Sequence, residues 1–274
     1  MFTVGVIDAI TLLEICFMDG YDTIIGGVFC TSPTRFYIFG VISTFGWFCG
    51  TFIGILLALD RCCEILAPNA AKYLFHGNRT WIWLGLCFLY GSYALLFQYP
   101  FVYHSRYMAV FYDPHWGDEF RVPFTNPAYY AHNLFVAAAI GSLYLIICIG
   151  WALKYKNHKT GAVSNSQRLV NIQSFMISME ILGAGLIYIY FMNFYVPDFC
   201  FLIGHVLWQM SHGDNGVVYF IINKTMRKAV IKMLKKIFCR RNGNHVSQLS
   251  KASTAMAPVG SKVTVHISST ALRY

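Results

Sequence analysis

An uncharged run of 24 residues, Phe36 to Leu59, constrains the fold of this chain more than any other feature, and Asp60 and Arg61 follow it directly. An α-helix rises about 1.5 Å per residue, so a run of this length spans a hydrocarbon layer of roughly 30 Å. Charged side chains are costly inside that layer. The sequence therefore predicts a transmembrane helix that ends at an acid–base pair.

Composition extends this prediction to the whole chain. Hydrophobic residues make up 57% of the 274 positions and charged residues only 12%, whereas soluble domains carry about 25% charged residues. The sequence has no zinc-ligand spacing, no basic–aromatic patch typical of nucleic-acid binding and no constellation of catalytic side chains. It predicts an all-α membrane protein that is not an enzyme, with the lipid bilayer as a partner and without a metal, a cofactor or a nucleic-acid partner.

Breaker residues and polar loops divide the chain into six apolar stretches of helical length. The predicted spans are Met1–Met18, Phe36–Arg61, Trp81–Val102, Ala128–Leu153, Leu169–Val196 and Phe199–Ile222. A long polar loop, Tyr103–Pro127, separates the third predicted span from the fourth. The sequence therefore predicts one domain of six membrane-crossing helices.

The C-terminal part of the chain is different in kind. In Asn223–Phe238, lysines and apolar residues alternate at helical spacing, which predicts an amphipathic helix on an anionic membrane face. Residues 1–238 are thus expected to form one domain, a bundle of membrane-spanning helices that includes this helix. Cys239–Tyr274 is rich in Ser, Thr and Ala without periodicity, which predicts a disordered cytosolic tail.

Loop charge predicts the orientation. If the Arg61 end, the turn Lys154–Arg168 and the tail are cytosolic, 18 of the 21 Lys and Arg residues lie on that side. This asymmetry follows the positive-inside rule. With a cytosolic tail and six spans, Met1 is expected in the cytosol by parity.

Three stretches carry a resemblance to a known family. They read GVFCTSP at Gly27–Pro33, LLALDRCC at Leu56–Cys63 and SHGDNGVVYFIINKTMR at Ser211–Arg227. From its start to about Phe238 the chain resembles the nematode serpentine chemoreceptors of class T (Srt), within the rhodopsin-like superfamily of seven-helix G-protein-coupled receptors. The resemblance implies a rhodopsin-like helix bundle and a chemosensory receptor, located in the plasma or ciliary membrane of sensory neurons.

The resemblance also implies partners and a switch. A small-molecule ligand is expected between the outer halves of the helices, and a heterotrimeric G protein on the cytosolic face. Asp60 and Arg61 match the Asp-Arg pair of the family, with Cys62 in place of Tyr. Arg61 is expected to pair with Asp60 at rest and to turn to the G protein on activation. Without the resemblance, the pair reads as a charged helix end.

The last helix carries a second motif, formed by His212, Gly213, Asp214, Asn215 and Tyr219. His212, Gly213 and Tyr219 match the pattern of the family, whereas the stretch between Gly213 and Tyr219, which begins with Asp214 and Asn215, lacks the proline that is expected there. Receptors of the family have seven helices and this chain shows six. When the Asp-Arg pairs are aligned, the first helix of the family is the one without a counterpart.

Polar residues inside apolar spans are the remaining candidates. Glu180, His205, Trp208 and Gln209 are candidate ligand contacts, although a lone Trp is more often a packing residue in a chain with 17% aromatic residues. Asp8 and Asp214 are expected to share a proton or a sodium ion with Asn215, or else to be protonated packing residues. Cys239 is a candidate for palmitoylation, with a free thiol as the alternative.

Two other function classes remain open. In a six-helix transporter or channel, Asp8, Glu180 and Asp214 would line the pathway. Transporters often contain internal repeats, and none is visible in this sequence. The third interpretation is a truncated receptor form that does not signal.

Overall fold

The uncharged run forms the longest helix of the protein. The computed structural model describes residues 2–117, 124, 126–156, 165–222 and 227–236. In it, helix α3 runs from Pro33 to Leu66, with the proline at the first helical position, where its missing N–H costs nothing. It ends at Ala67, whose extended conformation (φ −139°, ψ 71°) is typical of the residue before a proline. The predicted end at Arg61 was therefore wrong, because nothing before Pro68 breaks the helix.

The first predicted span is longer than expected. Helix α1, Phe2–Leu12, continues through a π-helical turn, Leu13–Met18, into α2, Asp19–Ile25, without a break in the right-handed backbone. It ends at Gly26, where φ is +67°. The predicted end at Met18 was wrong because the polar residues after it read as a loop, whereas Asp19 and Asp22 are buried in the fold.

Three short elements, one helix and two strands, lie in segments that were predicted as loops or as part of a helix. Helix α4, Pro68–Phe75, follows α3, and α5 covers Arg79–Phe97. The predicted helix end at Val102 was wrong, since the chain is extended before Pro100 and Val102–His104 forms strand β1. Strand β2, Ala109–Phe111, pairs antiparallel with β1, Val102 opposite Phe111. We call residues 102–111 the hairpin.

Three long helices complete the bundle. They are α6, Pro127–Lys156, α7, Asn165–Asn193, and α8, Asp198–Ile222, all within four residues of the predicted bounds. Residues 227–236 form α9 in a separate unit that begins at Lys224. The remainder of the predicted amphipathic helix, Cys239 and the predicted tail lie outside the described residues.

Helix α3 is the centre of the bundle and packs against α1, α5, α6 and α7. In the most apolar stretch of α3, 56% of the residues are buried, compared with 17–28% in the corresponding stretches of α5, α6 and α7. These four helices are long and apolar enough to cross a membrane. The α1–α2 segment and α8 contain several buried polar residues. Within the described part of the chain, neither combines the length and the hydropathy of those four helices.

The core differs between the two ends of the bundle. At the end covered by the hairpin, large aromatic residues such as Trp47, Phe101 and Trp208 form the main cluster. At the opposite end, which carries Arg61, aliphatic residues such as Val136, Ile140 and Ile177 pack around Ala58. We refer to these as the hairpin end and the Arg61 end.

Candidate ligand-binding site

A cavity of about 180 Å³ lies at the hairpin end, between the hairpin and the adjoining ends of α6, α7 and α8. Nine of its fourteen lining residues are aromatic, and the polar residues among the fourteen are Tyr, Asp and Asn. An apolar lining with a few polar groups is typical of small-molecule sites. The lining residues are Phe101, Ala109, Val110, Phe111, Tyr112, Asp113, Trp116, Phe124, Asn126, Tyr129, Tyr188, Phe191, Met192 and Phe201.

Contacts with α3 fix the position of the hairpin over the cavity. A Cβ atom built on Gly40 would lie 1.8 Å from the carbonyl oxygen of Phe101, so only glycine permits this approach. Four residues further along α3, the hydroxyl of Thr44 accepts a hydrogen bond from the N–H of Phe101 at 3.1 Å. The backbone that leads into β1 is therefore held against the central helix.

The other face of the hairpin contacts α2. The hydroxyl groups of Thr23 and Tyr103 lie 2.5 Å apart and share a hydrogen bond. Burial raises the pKa of the Tyr103 hydroxyl, so this group stays protonated at neutral pH. Close by, Arg35 at the start of α3 pairs with Asp22 of α2 at 2.5 Å. These contacts tie α2, α3 and the hairpin into one support for the cavity.

Stacked and edge-on aromatic pairs shape the cavity wall. The rings of Phe111 and Trp116 stack with centroids 4.8 Å apart. Those of Tyr112 and Tyr129 meet edge to face at 4.7 Å. Phe201 of α8 packs edge-on against Phe111 at 5.3 Å. Such pairs hold the rings against one another and so restrict their motion in the cavity wall.

The four candidate ligand contacts from the sequence lie outside the lining of this cavity. His205 is buried, with its Nε2 atom 3.4 Å from Asp19 Oδ2. Trp208 is 2% exposed and belongs to the aromatic cluster at the hairpin end. Gln209 donates a hydrogen bond at 2.7 Å to the carbonyl of Ile15, inside the π-helical turn. Glu180 lies in α7, within electrostatic reach of Asp214 and Asp8.

The last-helix motif meets α1. Asp8 Oδ1 lies 2.9 Å from Nδ1 of His212, and both side chains are buried. They line a small void of about 20 Å³ next to Trp47, room for about one water molecule. Gly213 lies beside Leu12 of α1. The side chains of Asn215 and Tyr219 lie outside the described part of the protein.

The predicted switch pair lies within α3. Arg61 forms a salt bridge with Asp60, and its Nη1 lies 2.5 Å from Glu64 Oε2. The Arg61 side chain is 13% exposed, whereas that of Glu64 is 43% exposed. Glu64 was not singled out in the sequence, although its spacing three residues after Arg61 on a helix was a usable signal.

Sequence reasoning also missed the polar residues of the cavity. Asn126 precedes Pro127, a pairing typical of a helix start, which was a signal for a cap but not for a cavity. Tyr112 lies in a loop whose sequence gave no indication of a hairpin. Tyr188 is one of four aromatic residues in α7, and nothing in the sequence separates it from the other three.

Comparison with known proteins agrees with the resemblance in the sequence. Residues 1–242 match the family described as Serpentine type 7TM GPCR chemoreceptor Srt. Serpentine receptor class T-55 of Caenorhabditis elegans is 26% identical over 261 residues, which are 95% of this chain and 69% of that protein. The family is one of receptors rather than enzymes, and the match does not favour a transporter or a channel. The chain is a multi-pass membrane protein and belongs to the Srt family of serpentine chemoreceptors of the G-protein-coupled receptor class.

Proposed function

We propose that this receptor binds a small molecule in the cavity beneath the hairpin and activates a heterotrimeric G protein at its Arg61 end. The cavity of about 180 Å³ with its aromatic lining is the observation that carries the proposal. An engineered protein cavity of ~150 Å³ holds benzene. The space here therefore suits a compact molecule of one ring or a short chain.

Two helices connect the cavity to the Arg61 end. Helix α3 supports the hairpin through Gly40 and carries Arg61 near its opposite end. Helix α7 contributes Tyr188 to the cavity and Ile177 to the aliphatic cluster around Ala58. A ligand that binds one arrangement of these helices more tightly than another shifts the balance between them. Arg61, freed from Asp60 and Glu64, would then contact the G protein.

The proposed topology has six spans, with the Arg61 end in the cytosol. The α1–α2 segment and α8 join the four apolar helices, and their buried polar residues face one another rather than lipid, as in Asp8 with His212. Epitope tags at both ends of this chain should be stained only after the membrane is permeabilised. Staining of the N-terminal tag on intact cells would contradict this topology.

The binding site is tested by filling the cavity. Ala109 lines the cavity and is 2% exposed, so Ala109→Leu places a larger side chain in the ligand space. The matched control is Ala138→Leu on the exposed face of α6. Both variants and the original chain are screened in cells with a G-protein reporter against a library of small volatile molecules.

We expect active molecules to lose their effect on Ala109→Leu and to retain it on Ala138→Leu, at equal surface expression. The reason is that only the first substitution occupies the cavity. A response that survives Ala109→Leu at unchanged concentration would place the ligand elsewhere and refute this binding site.

A further inference from the structure

Three buried carboxyl groups meet beside the hairpin. Glu14 of the π-helical turn and Asp19 and Asp22 of α2 line one void of about 10 Å³, and none of the three residues is more than 6% exposed. A void of this size is at the lower limit for one water molecule, so it cannot hydrate three ionised carboxylates. A buried carboxylate without hydration or a cation is strongly unfavourable, and such a group takes up a proton instead.

The arginine beside these groups neutralises only one of them. Arg35 Nη2 lies 2.5 Å from Asp22 Oδ1. Glu14 accepts a hydrogen bond from the uncharged hydroxyl of Ser43. Asp19 Oδ2 has no hydrogen-bond partner among the residues that the structure describes. Because Asp19 and Glu14 lie within electrostatic reach of each other, two negative charges there would also repel. The cluster therefore favours a proton on each of these two residues.

The environment of His205 independently indicates a proton on Asp19. Gln209 Nε2 donates a hydrogen bond to the carbonyl of Ile15 at 2.7 Å, which fixes the orientation of this amide. The same nitrogen lies 3.2 Å from His205 Nε2, and since an amide nitrogen only donates, the histidine nitrogen is the acceptor. Asp19 Oδ2 lies 3.4 Å from this acceptor. An ionised oxygen would face a lone pair there, whereas a protonated oxygen can donate to it.

We propose that Asp19 and His205 form a proton-binding site, in which Asp19 Oδ2 carries the proton and faces His205 Nε2. The proton comes from solvent, and its binding turns the carboxylate into a carboxyl group without any other change in bonding. The Arg35 side chain, which pairs with Asp22 in the same cluster, is 26% exposed. The cluster therefore borders on solvent, and proton exchange requires no opening of molecular size.

The proton site is linked to the hairpin by two contacts. The Thr23 hydroxyl donates to the backbone carbonyl of Asp19 at 2.8 Å, so the Tyr103 hydroxyl of β1 is the donor to Thr23. The Tyr103 ring also packs against the ring of His205, with centroids 5.6 Å apart. An ionised Asp19 favours arrangements in which water reaches it, so loss of the proton should loosen the hairpin. A pH-dependent ligand cavity would follow, and this last step alone rests on the proposed function.

Several titratable or charged groups surround Asp19, from the π-helical turn, α2, α3, β1, α7 and α8. They are Glu14, Cys16, Asp22, Arg35, Tyr103, Tyr188 and His205. The pH dependence of the whole chain therefore contains more than one contribution. Substitution of Asp19 alone isolates the contribution of the proposed site.

The sign of the expected effect follows from the two states of Asp19. In the unfolded chain its carboxyl group is ionised at neutral pH, so folding takes up a proton at this site. The folded state then loses stability as the pH rises, and one bound proton changes the unfolding equilibrium constant by up to about tenfold per pH unit. Reversible denaturation of the full chain in mixed micelles, between about pH 6 and pH 9, measures this dependence.

Asp19→Asn keeps the shape of the side chain and gives His205 Nε2 a permanent donor. Its unfolding equilibrium constant should depend less on pH than that of the original chain, by up to about tenfold per pH unit. Asp19→Ser, which is also uncharged, should show the same loss. The matched control is Asp198→Asn, because Asp198 is an exposed carboxyl group in the first turn of α8. This control should keep the pH dependence of the original chain.

Infrared spectra and hydrogen exchange supply two further readouts. At neutral pH the original chain and Asp198→Asn should show a carbonyl stretch of a protonated carboxyl group that Asp19→Asn lacks. Exchange of the hairpin amides, corrected for the intrinsic effect of pH, should accelerate with pH in the original chain and not in Asp19→Asn.

Each readout can contradict a separate part of the inference. An unchanged pH dependence in both Asp19 variants, or an unchanged infrared band in Asp19→Asn, would overturn the proton site. Hairpin exchange that does not change with pH in the original chain would overturn the link to the hairpin. These measurements use no ligand, so their failure leaves the proposed ligand site standing, and a failed Ala109→Leu test leaves the proton site standing.

Discussion

Trp47 and Asn133 illustrate how single hydrogen bonds hold this bundle together. The indole N–H of Trp47 in α3 donates to Asn133 Oδ1 in α6 at 3.0 Å, and both side chains are almost fully buried. The sequence predicts both helices but not this pair, because the residues lie 86 positions apart and a helical pattern carries no information on interhelical partners. The same limit applies to Asp8 and His212.

Replacement of Trp47 by Phe should lower the free energy of unfolding by about 1–3 kcal/mol, because it leaves Asn133 Oδ1 buried without its donor. Reversible denaturation of the purified chain in mixed micelles measures the change. The control is Trp81→Phe, since Trp81 is 67% exposed and its loss should change stability by no more than about 0.5 kcal/mol. Equal effects of the two substitutions would show that the hydrogen bond does not contribute.

Among the secondary-structure elements, the hairpin determines where the cavity lies, because several of its residues line it. Its strands are too short to be recognised from periodicity, and Pro100 was the one signal that a helix could not continue into β1. The helices were predictable because long apolar runs have few alternatives in a membrane. The ends of the helices were less predictable. Asp19 and Asp22, for example, are polar residues typical of a loop, but they are buried within a helix in the fold.

A methyl group on Gly40 should displace the hairpin, because it would lie 1.8 Å from the Phe101 carbonyl. We expect Gly40→Ala to destabilise the protein by about 1–3 kcal/mol, as other overpacked sites do, and to abolish ligand binding. Gly85→Ala is the matched control, because no atom lies within 4 Å of the added methyl group. Ligand binding that is normal in both variants would show that the contact with α3 does not position the cavity.

The helix bundle has an aromatic cavity at its hairpin end and the candidate switch residue Arg61 at its other end. Composition and the 24-residue run were sufficient to predict a membrane protein, and the motifs around Arg61 and His212 were sufficient for the family, which the comparison confirms. The residues that line the cavity were not predictable in the same way. His205, Trp208 and Gln209 are polar or aromatic residues in an apolar helix, and the sequence does not reveal that other parts of the chain enclose them.

The proposed receptor function requires that the cavity and the Arg61 end are coupled, and a paired measurement of both ends tests this coupling. Ligand affinity and G-protein activation are measured on the same reconstituted chain, on Ala109→Leu and on Arg61→Ala. We expect Ala109→Leu to lose both properties, and Arg61→Ala to keep the ligand affinity within about threefold while losing activation. Normal activation by Arg61→Ala would rule out Arg61 as the switch, and normal ligand affinity in Ala109→Leu would rule out the cavity as the binding site.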